Sequence, residues 1–216
     1  MSLNSSQVKK VMLEIGETVE KNKEFLTELD LAIGDADHGI NLTKGFRAVA
    51  TKLSATETDD IGEIFTLVGM TLVGNVGGAS GPLYGTAFMR AGSYAAGKTS
   101  LIADDFVGIL EAAIGGIKMR GKAEAGDKTM LDALIPALNA FQEALKQGIT
   151  VHGALTKAVE AALAGVNYTK EIQARKGRAS YLGARSIGHQ DPGATSTYLM
   201  LRTISKAVQT QGQPEK

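Results

Sequence analysis

Apolar residues recur along most of the chain at three- and four-residue steps, the spacing of one helix face. Val8, Val11 or Met12, Ile15, Val19, Leu26 and Leu29 predict a first helix, which Ser5 or Ser6 can cap and which ends near Leu29-Asp30, before Gly34. A second helix begins at His38 or Gly39 and runs to Leu53. Ser54–Thr58 is polar and loop-like, and Asp59 or Asp60 caps a third helix to about Val76. Gly77-Gly78-Ala79-Ser80-Gly81-Pro82 is a break and a new start: Ser80 is a good cap, Pro82 suits a first turn, and Gly97 can close the helix after about Ala96. Asp104-Asp105 opens a helix to about Met119. Asp127 or Thr129 caps the next, with Pro136 predicting a kink, and Thr150 opens an alanine-rich helix to about Tyr168. Lys170–Leu182 reads as a further helix, and Asp191-Pro192 as the cap and first turn of a last one reaching about Val208. The count is eight helices, give or take one, with no strand, repeat or linker. Residues 1–210 read as a single all-α domain, and 211–216 as a frayed tail.

Composition narrows the function classes. The 216 residues carry 23 Lys+Arg against 23 Asp+Glu, so the basic excess of a nucleic-acid binder is missing. There is no cysteine, which excludes thiol catalysis, cysteine zinc sites and disulfide scaffolds. Aromatics are 5% with no Trp, thin for base stacking. No apolar run approaches the length of about 18 residues that a membrane span needs. The opening Met1–Gln7 lacks the basic and apolar regions of a signal peptide. The expectation is a cytoplasmic protein without nucleic-acid or membrane partners.

Three carboxylates, Asp30, Asp35 and Asp37, fall within eight residues of the stretch Asp30-Leu31-Ala32-Ile33-Gly34-Asp35-Ala36-Asp37-His38-Gly39-Ile40-Asn41. Asp35 and Asp37 cannot share a helix face, but in a turn both can converge with Asp30. Grouped carboxylates repel one another unless a cation neutralises them. All-oxygen ligation selects a hard ion, Mg²⁺ or Ca²⁺, and the EF-hand pattern is not met. Sparse carboxylates leave positions for water and phosphate, which is how Mg²⁺ is usually held. The competing reading, helix caps on a solvated loop, is weakened by the apolar neighbours Ile33, Ala36 and Ile40.

Two small-residue loops that lead into helices are candidate anion sites, because helix starts expose N–H groups and a positive dipole end. One is Gly77–Pro82. The other is Ser186-Ile187-Gly188-His189-Gln190-Asp191-Pro192-Gly193-Ala194-Thr195-Ser196, preceded by Arg175-Lys176-Gly177-Arg178, from which Arg178 can fork onto a phosphate. The connection Arg120–Met130 shows no catalytic signature. Gly92-Ser93-Tyr94-Ala95-Ala96-Gly97-Lys98-Thr99 fits the phosphate-loop pattern G-x-x-x-x-G-K-[ST], but that pattern has meaning only between a strand and a helix. Helix precedes it here and a new cap follows it, so it reads as a helix end with Lys98 facing solvent. His152 reads as structural or solvated. His38 and His189 lie inside the glycine–aspartate motifs, with no nucleophile signature beside them.

The combination is more specific than its parts. Gly34–Gly39, Gly77–Pro82, Gly121–Met130, Gly177-Arg178-Ala179-Ser180-Tyr181-Leu182-Gly183 and Gly188–Ala194 together resemble the L subunit of dihydroxyacetone kinase, in order and over nearly the whole chain. The likeness is to the bacterial form that works with the phosphoenolpyruvate phosphotransferase system. It implies an eight-helix antiparallel barrel with a nucleotide–Mg²⁺ site at one end. It implies that Asp30, Asp35 and Asp37 hold two Mg²⁺ on the diphosphate of tightly bound ADP or ATP. His38, Gly39, Ile40, Asn41, Ala79, Ser80, Gly121, Met130, Arg178, Asp191, Pro192 and Gly193 would line the nucleotide site.

The resemblance also implies a relay. A phosphohistidine on the carrier M subunit phosphorylates the bound ADP, and the phosphoryl group passes to dihydroxyacetone on the K subunit. The chain would thus be the kinase subunit of a phosphotransferase in glycerol metabolism, with no catalytic nucleophile of its own. Two alternatives remain: an ATP-exchanging form of the same kinase, and a nucleotide-sensing regulator that binds a transcription factor. A separate chain of this length favours the phosphotransferase form, because ATP-dependent members usually fuse the K and L domains.

Overall fold

The computed structural model describes residues 2–211 and contains nine α-helices, one 3-10 helix and one two-stranded pairing among them. Helix α1 (Ser5–Lys21) starts on a reciprocal cap: Asn4 Oδ1 accepts from Gln7 N–H and Gln7 Oε1 from Asn4 N–H, both at 2.9 Å. The cap is thus Asn4 and not Ser5 or Ser6. The expected single first helix is also divided. Asn22 turns its side-chain amide back onto the Thr18 carbonyl at 2.7 Å, and α2 (Lys23–Ile33) begins after it.

Helices α3 (His38–Ser54), α4 (Ile61–Asn75) and α5 (Ser80–Tyr94) follow. Asp60 caps α4, accepting from the Gly62 and Glu63 N–H groups. Glycines let α4 and α5 meet backbone to backbone. A Cβ on Gly69 would lie 2.6 Å from the Gly85 carbonyl oxygen, and one on Gly92 would lie 2.7 Å from that of Gly62. Helix α6 (Ala103–Gly121) has Asp105 accepting from the Ile102 N–H at its start. Helix α7 (Leu131–Lys146) continues through Pro136. The carbonyl that Pro136 leaves without a helical donor is that of Asp132, and Gly165 of α8 (Val151–Tyr168) packs on it. Thr150 caps α8 as expected, and α9 (Pro192–Gln211) is the last helix among the described residues.

Two further expectations need correction. The segment Lys170–Leu182 is not an α-helix: it runs through turns into the 3-10 helix Arg178–Ser186, which is broken at Gly183 (φ 57°). Strands are also present, though minimal: β1 (Leu3–Asn4) pairs antiparallel with β2 (Ser100–Leu101), Leu3 opposite Leu101. The expected frayed tail over 211–216 lies outside the described residues, save for Gln211 at the end of α9.

Packing closes a ring. Helix α1 lies against α3, each of α3 to α8 against its successor, and α9 returns to α1, while α2 continues from α1 against α3 and α9. These are eight staves joined mostly by short connections, the antiparallel barrel expected. One apolar cluster fills it, with Ile15, Leu42, Phe46, Ile64, Leu72, Leu131 and Phe141 almost wholly buried. An apolar cavity of about 140 Å³ remains inside, between Val11, Ile15, Ile109 and Tyr84. No helix among the described residues is long and apolar enough to cross a membrane.

Candidate functional site

In an up-and-down ring, alternate connections fall at the same end. Four of them, α2–α3, α4–α5, α6–α7 and α8–α9, meet around one cleft of about 310 Å³. Every motif singled out for anion or cation chemistry lies in these four. The phosphate-loop look-alike lies in α5–α6, at the other end. There Gly97 takes the left-handed conformation (φ 75°), its N–H meets Asp60, and the Lys98 carbonyl accepts from Ile61 N–H. The Lys98 ammonium is paired with Asp105 at 3.0 Å.

Asp30 sits buried in the last turn of α2. Its Oδ2 accepts the Asp37 N–H at 2.9 Å and the His38 N–H at 3.2 Å, which folds the α2–α3 loop back on it. A side chain at Gly34 would collide with the Asp30 carboxylate. Ala36 holds φ 59°, an uncommon conformation for a residue with a Cβ, at the turn between Asp35 and Asp37. One carboxylate oxygen from each of Asp30, Asp35 and Asp37 comes within 4.8 Å of the others. Burial, and then the charges of Asp35 and Asp30, hold the Asp37 carboxyl above its usual range. Three crowded hard-oxygen ligands, one disfavouring its own charge, are what a Mg²⁺ site requires of a protein: few carboxylates, with room for water and phosphate. The residues present fit that ion. Arg178 Nη2 lies 2.8 Å from Asp35 Oδ2.

Facing the aspartates is the start of α5. Gly78 takes φ 65°, and no side chain caps this helix, so its first N–H groups remain for an anion. Ser80 was expected as the cap. Its hydroxyl turns instead to His38 Nδ1, at 3.0 Å. On the far side Gly121 lies by Leu83 and Ala123, and Met130 lines the same cleft, which gives apolar surface among polar loops, fit for the base of a nucleotide. Asp191 caps α9 through the Ala194 N–H, and burial raises its carboxyl to about 7.

Beneath the cleft lies a polar floor that sequence reasoning missed. His38 Nε2 is 2.9 Å from Ser196 Oγ, and Ser196 Oγ is 2.7 Å from Tyr84 Oη, which also meets Thr197 Oγ1 at 2.9 Å. Burial pushes the His38 ring down to about 4, so it is neutral at pH 7 with both nitrogens engaged. Tyr84 and Thr197 also border the apolar cavity, so this network divides the wet cleft from the dry barrel. The only sequence signal was the run of three hydroxyl residues Thr195-Ser196-Thr197 just before the apolar Tyr198–Leu201. Lys128, another lining residue, was also passed over.

The cleft gathers Asp30, Asp35, Asp37, His38, Ala79, Ser80, Gly121, Met130, Arg178, Asp191, Pro192 and Gly193. Gly39, Ile40 and Asn41 lie on the first turn of α3 and are not among its lining residues. Gly39 packs on the Lys23 carbonyl of α2, Ile40 is exposed, and Asn41 stands behind Gly77.

Residues 32–206 match the family model for the DAK2 domain. The chain is 44% identical over 207 residues to the PEP-dependent dihydroxyacetone kinase ADP-binding subunit DhaL of Escherichia coli (strain K12), covering 96% of this chain and 99% of that one. It is 45% identical to the ADP-binding subunit DhaL of PEP-dependent dihydroxyacetone kinase 1 of Listeria innocua, over 88% of this chain and 90% of that one. Among solved structures it resembles the dihydroxyacetone kinase from C. freundii in complex with AMP-PNP and Mg²⁺, with TM-score 0.69 and 26% identity over 95% of this chain. It spans 34% of that kinase's chain.

Proposed function

The chain belongs to the DAK2 domain family, and from that membership we propose that it is the ADP-binding subunit of a phosphoenolpyruvate-dependent dihydroxyacetone kinase, working in the cytoplasm. The observation that carries the reading is the convergence of Asp30, Asp35 and Asp37 opposite the uncapped start of α5, in one cleft. Identity of 44–45% over 88–96% of the chain to ADP-binding subunits of PEP-dependent kinases supports that form.

In this reading Asp30, Asp35 and Asp37 would hold two Mg²⁺ that serve the diphosphate of ADP, and the ADP would stay bound through turnover. When bound, Mg²⁺–ADP would supply a phosphoryl acceptor and donor: it would take the group from a phosphohistidine carrier (M) subunit, freeing that histidine, and return to ADP on giving it to dihydroxyacetone on a K subunit. The chain's own residues bind and orient. Three carboxylates against two divalent ions leave a net positive cradle, suited to the charge on a transferring phosphoryl group. The first turn of α5 and Arg178 add donors for phosphate oxygens. His38 is no phosphoryl acceptor, because it is buried and both ring nitrogens are spent on Ser80 and Ser196. Its work is to hold the starts of α3, α5 and α9 together.

The test begins with protein purified without chelator, denatured, and its supernatant resolved by ion exchange. ADP released near one equivalent is expected. With carrier and K subunits added, phosphoenolpyruvate should then yield dihydroxyacetone phosphate without added nucleotide. Protein that releases no adenine nucleotide and gains no thermal stability from Mg²⁺–ADP would overturn the reading.

A further inference from the structure

Lys128 is a buried cation that the nucleotide reading leaves without work. Its residue is 1% exposed, and its backbone is left-handed (φ 63°) in the α6–α7 connection. Burying an ammonium is costly unless its donors are met. Two of its three are met, by the carbonyls of Ser186 and of Ile172, the latter at 3.3 Å. Both carbonyls belong to one segment, 169–190, the excursion between α8 and α9.

That segment has little else to order it. It contains no α-helix, and Gly177, Gly183 and Gly188 all take positive φ. Its buried apolar contribution is Ala174 and Ala179 against Ile33. What remains are polar ties. The Arg175 N–H meets the Asp127 carbonyl at 3.1 Å, next to Lys128, and the Ser186 hydroxyl accepts from the Ala174 N–H at 2.9 Å. Arg178 rises from this segment to Asp35 across the cleft.

We propose that Lys128 is a positioning residue: its ammonium seats the 169–190 segment on the α6–α7 connection and thereby sets where Arg178 stands over the cleft. The segment folds around a cation because it is too short of apolar side chains to fold around a core. The functional half of this proposal rests on the nucleotide reading; the seating does not.

Two variants separate the cases. Lys128→Met keeps most of the bulk without the donors. Lys128→Asn suits the left-handed backbone but falls short of both carbonyls. Amide exchange is followed on the whole chain with chelator, and Mg²⁺–ADP affinity by calorimetry. Exchange at Ala174, Arg175 and Gly188 should quicken by about tenfold or more while α4 and α5 keep their protection. Affinity should fall by about tenfold. Arg178→Ala alone should also lose affinity, and adding Lys128→Met should cost little more, since both act at one place. Unchanged exchange in the segment, uniformly faster exchange, or unfolding of both variants would each overturn the seating. Additive affinity losses would overturn action through Arg178. Wild-type protein that takes no ADP would sink the nucleotide reading, while the exchange result still decides the seating.

Discussion

Arg178 Nη2 stands 2.8 Å from Asp35 Oδ2, so a cation from the α8–α9 excursion meets an aspartate from the α2–α3 turn. Both are open to water, with side chains 63% and 34% exposed, and a pair so placed is screened. Its value is in shaping the cleft. A divalent ion on the aspartates would compete for Asp35 and would free the guanidinium for phosphate oxygens. Arg178→Ala should therefore lower stability in chelator by less than about 1 kcal/mol. It should weaken Mg²⁺–ADP by about tenfold, or 1.4 kcal/mol. Paired melts and calorimetric titrations measure both. A large loss of stability with intact affinity would make the pair a fold element.

Lys98 tests the opposite case. Its ammonium pairs with Asp105 and lies 5.9 Å from the Tyr94 ring, at the end of the barrel away from the cleft. Lys98→Ala should lower the melting midpoint slightly and leave Mg²⁺–ADP affinity and phosphoryl transfer unchanged. A phosphate-loop lysine would contact the phosphates. A loss of affinity of about tenfold in a folded variant would reinstate that motif.

The difference between these two sites was partly legible in the sequence. Asp30, Asp35 and Asp37 are close along the chain, and glycines mark the loops that meet them, so local pattern sufficed. The starts of α4, α8 and α9 were readable because Asp60, Thr150 and Asp191 cap them from within a few residues. The polar floor was not readable, since His38 meets Ser80 and Ser196 from 42 and 158 residues away. Ser80 looked like a cap for the same reason: its hydroxyl is claimed by a distant ring. Lys170–Leu182 looked helical because nothing local shows that Lys128 and Ser186 take over its backbone groups. Competition between local and tertiary hydrogen bonds decided these places.

Asp191 and His38, both buried at the cleft, give a pH signature between about pH 4 and 7. Burial raises Asp191 to about 7, above its unfolded value of about 3.9. Between these the native state holds a proton that the unfolded chain has lost, so stability falls as pH rises. His38, lowered to about 4 from about 6.5, does the reverse: the unfolded chain holds the extra proton, and stability rises with pH across that window. From about pH 4 to 6.5 the two oppose. Asp191→Asn keeps a capping oxygen for Ala194 and removes the falling contribution. Without ligand, the variant's stability minus that of wild type should grow from about pH 4 to about pH 7 and then level. Urea unfolding at half-unit steps reads it. A pH-independent difference would mean that Asp191 is ionised throughout.

Asp37 decides between a metal site and a solvated turn. Burial and the nearby charges of Asp35 and Asp30 disfavour its ionised form, so a neutral amide in its place relieves repulsion in the empty site. Asp37→Asn keeps an oxygen for Asn41 and the backbone bonds to Asp30, so the loop retains its path. It removes a charged ligand from a hard cation that tolerates little distortion. With chelator, the variant should therefore melt at the wild-type temperature or above. With Mg²⁺ and ADP the order reverses. Ligand at a hundred times its dissociation constant stabilises the native state by about 2.7 kcal/mol, or roughly 5–10 °C for a chain of this size. Wild type should gain that shift and Asp37→Asn almost none of it. Mg²⁺ without ADP should move the midpoint less than the pair, because phosphate oxygens would add to the few ligands the protein offers. Equal shifts in the two proteins would mean that these aspartates only shape a turn, and the metal would then have to be held elsewhere.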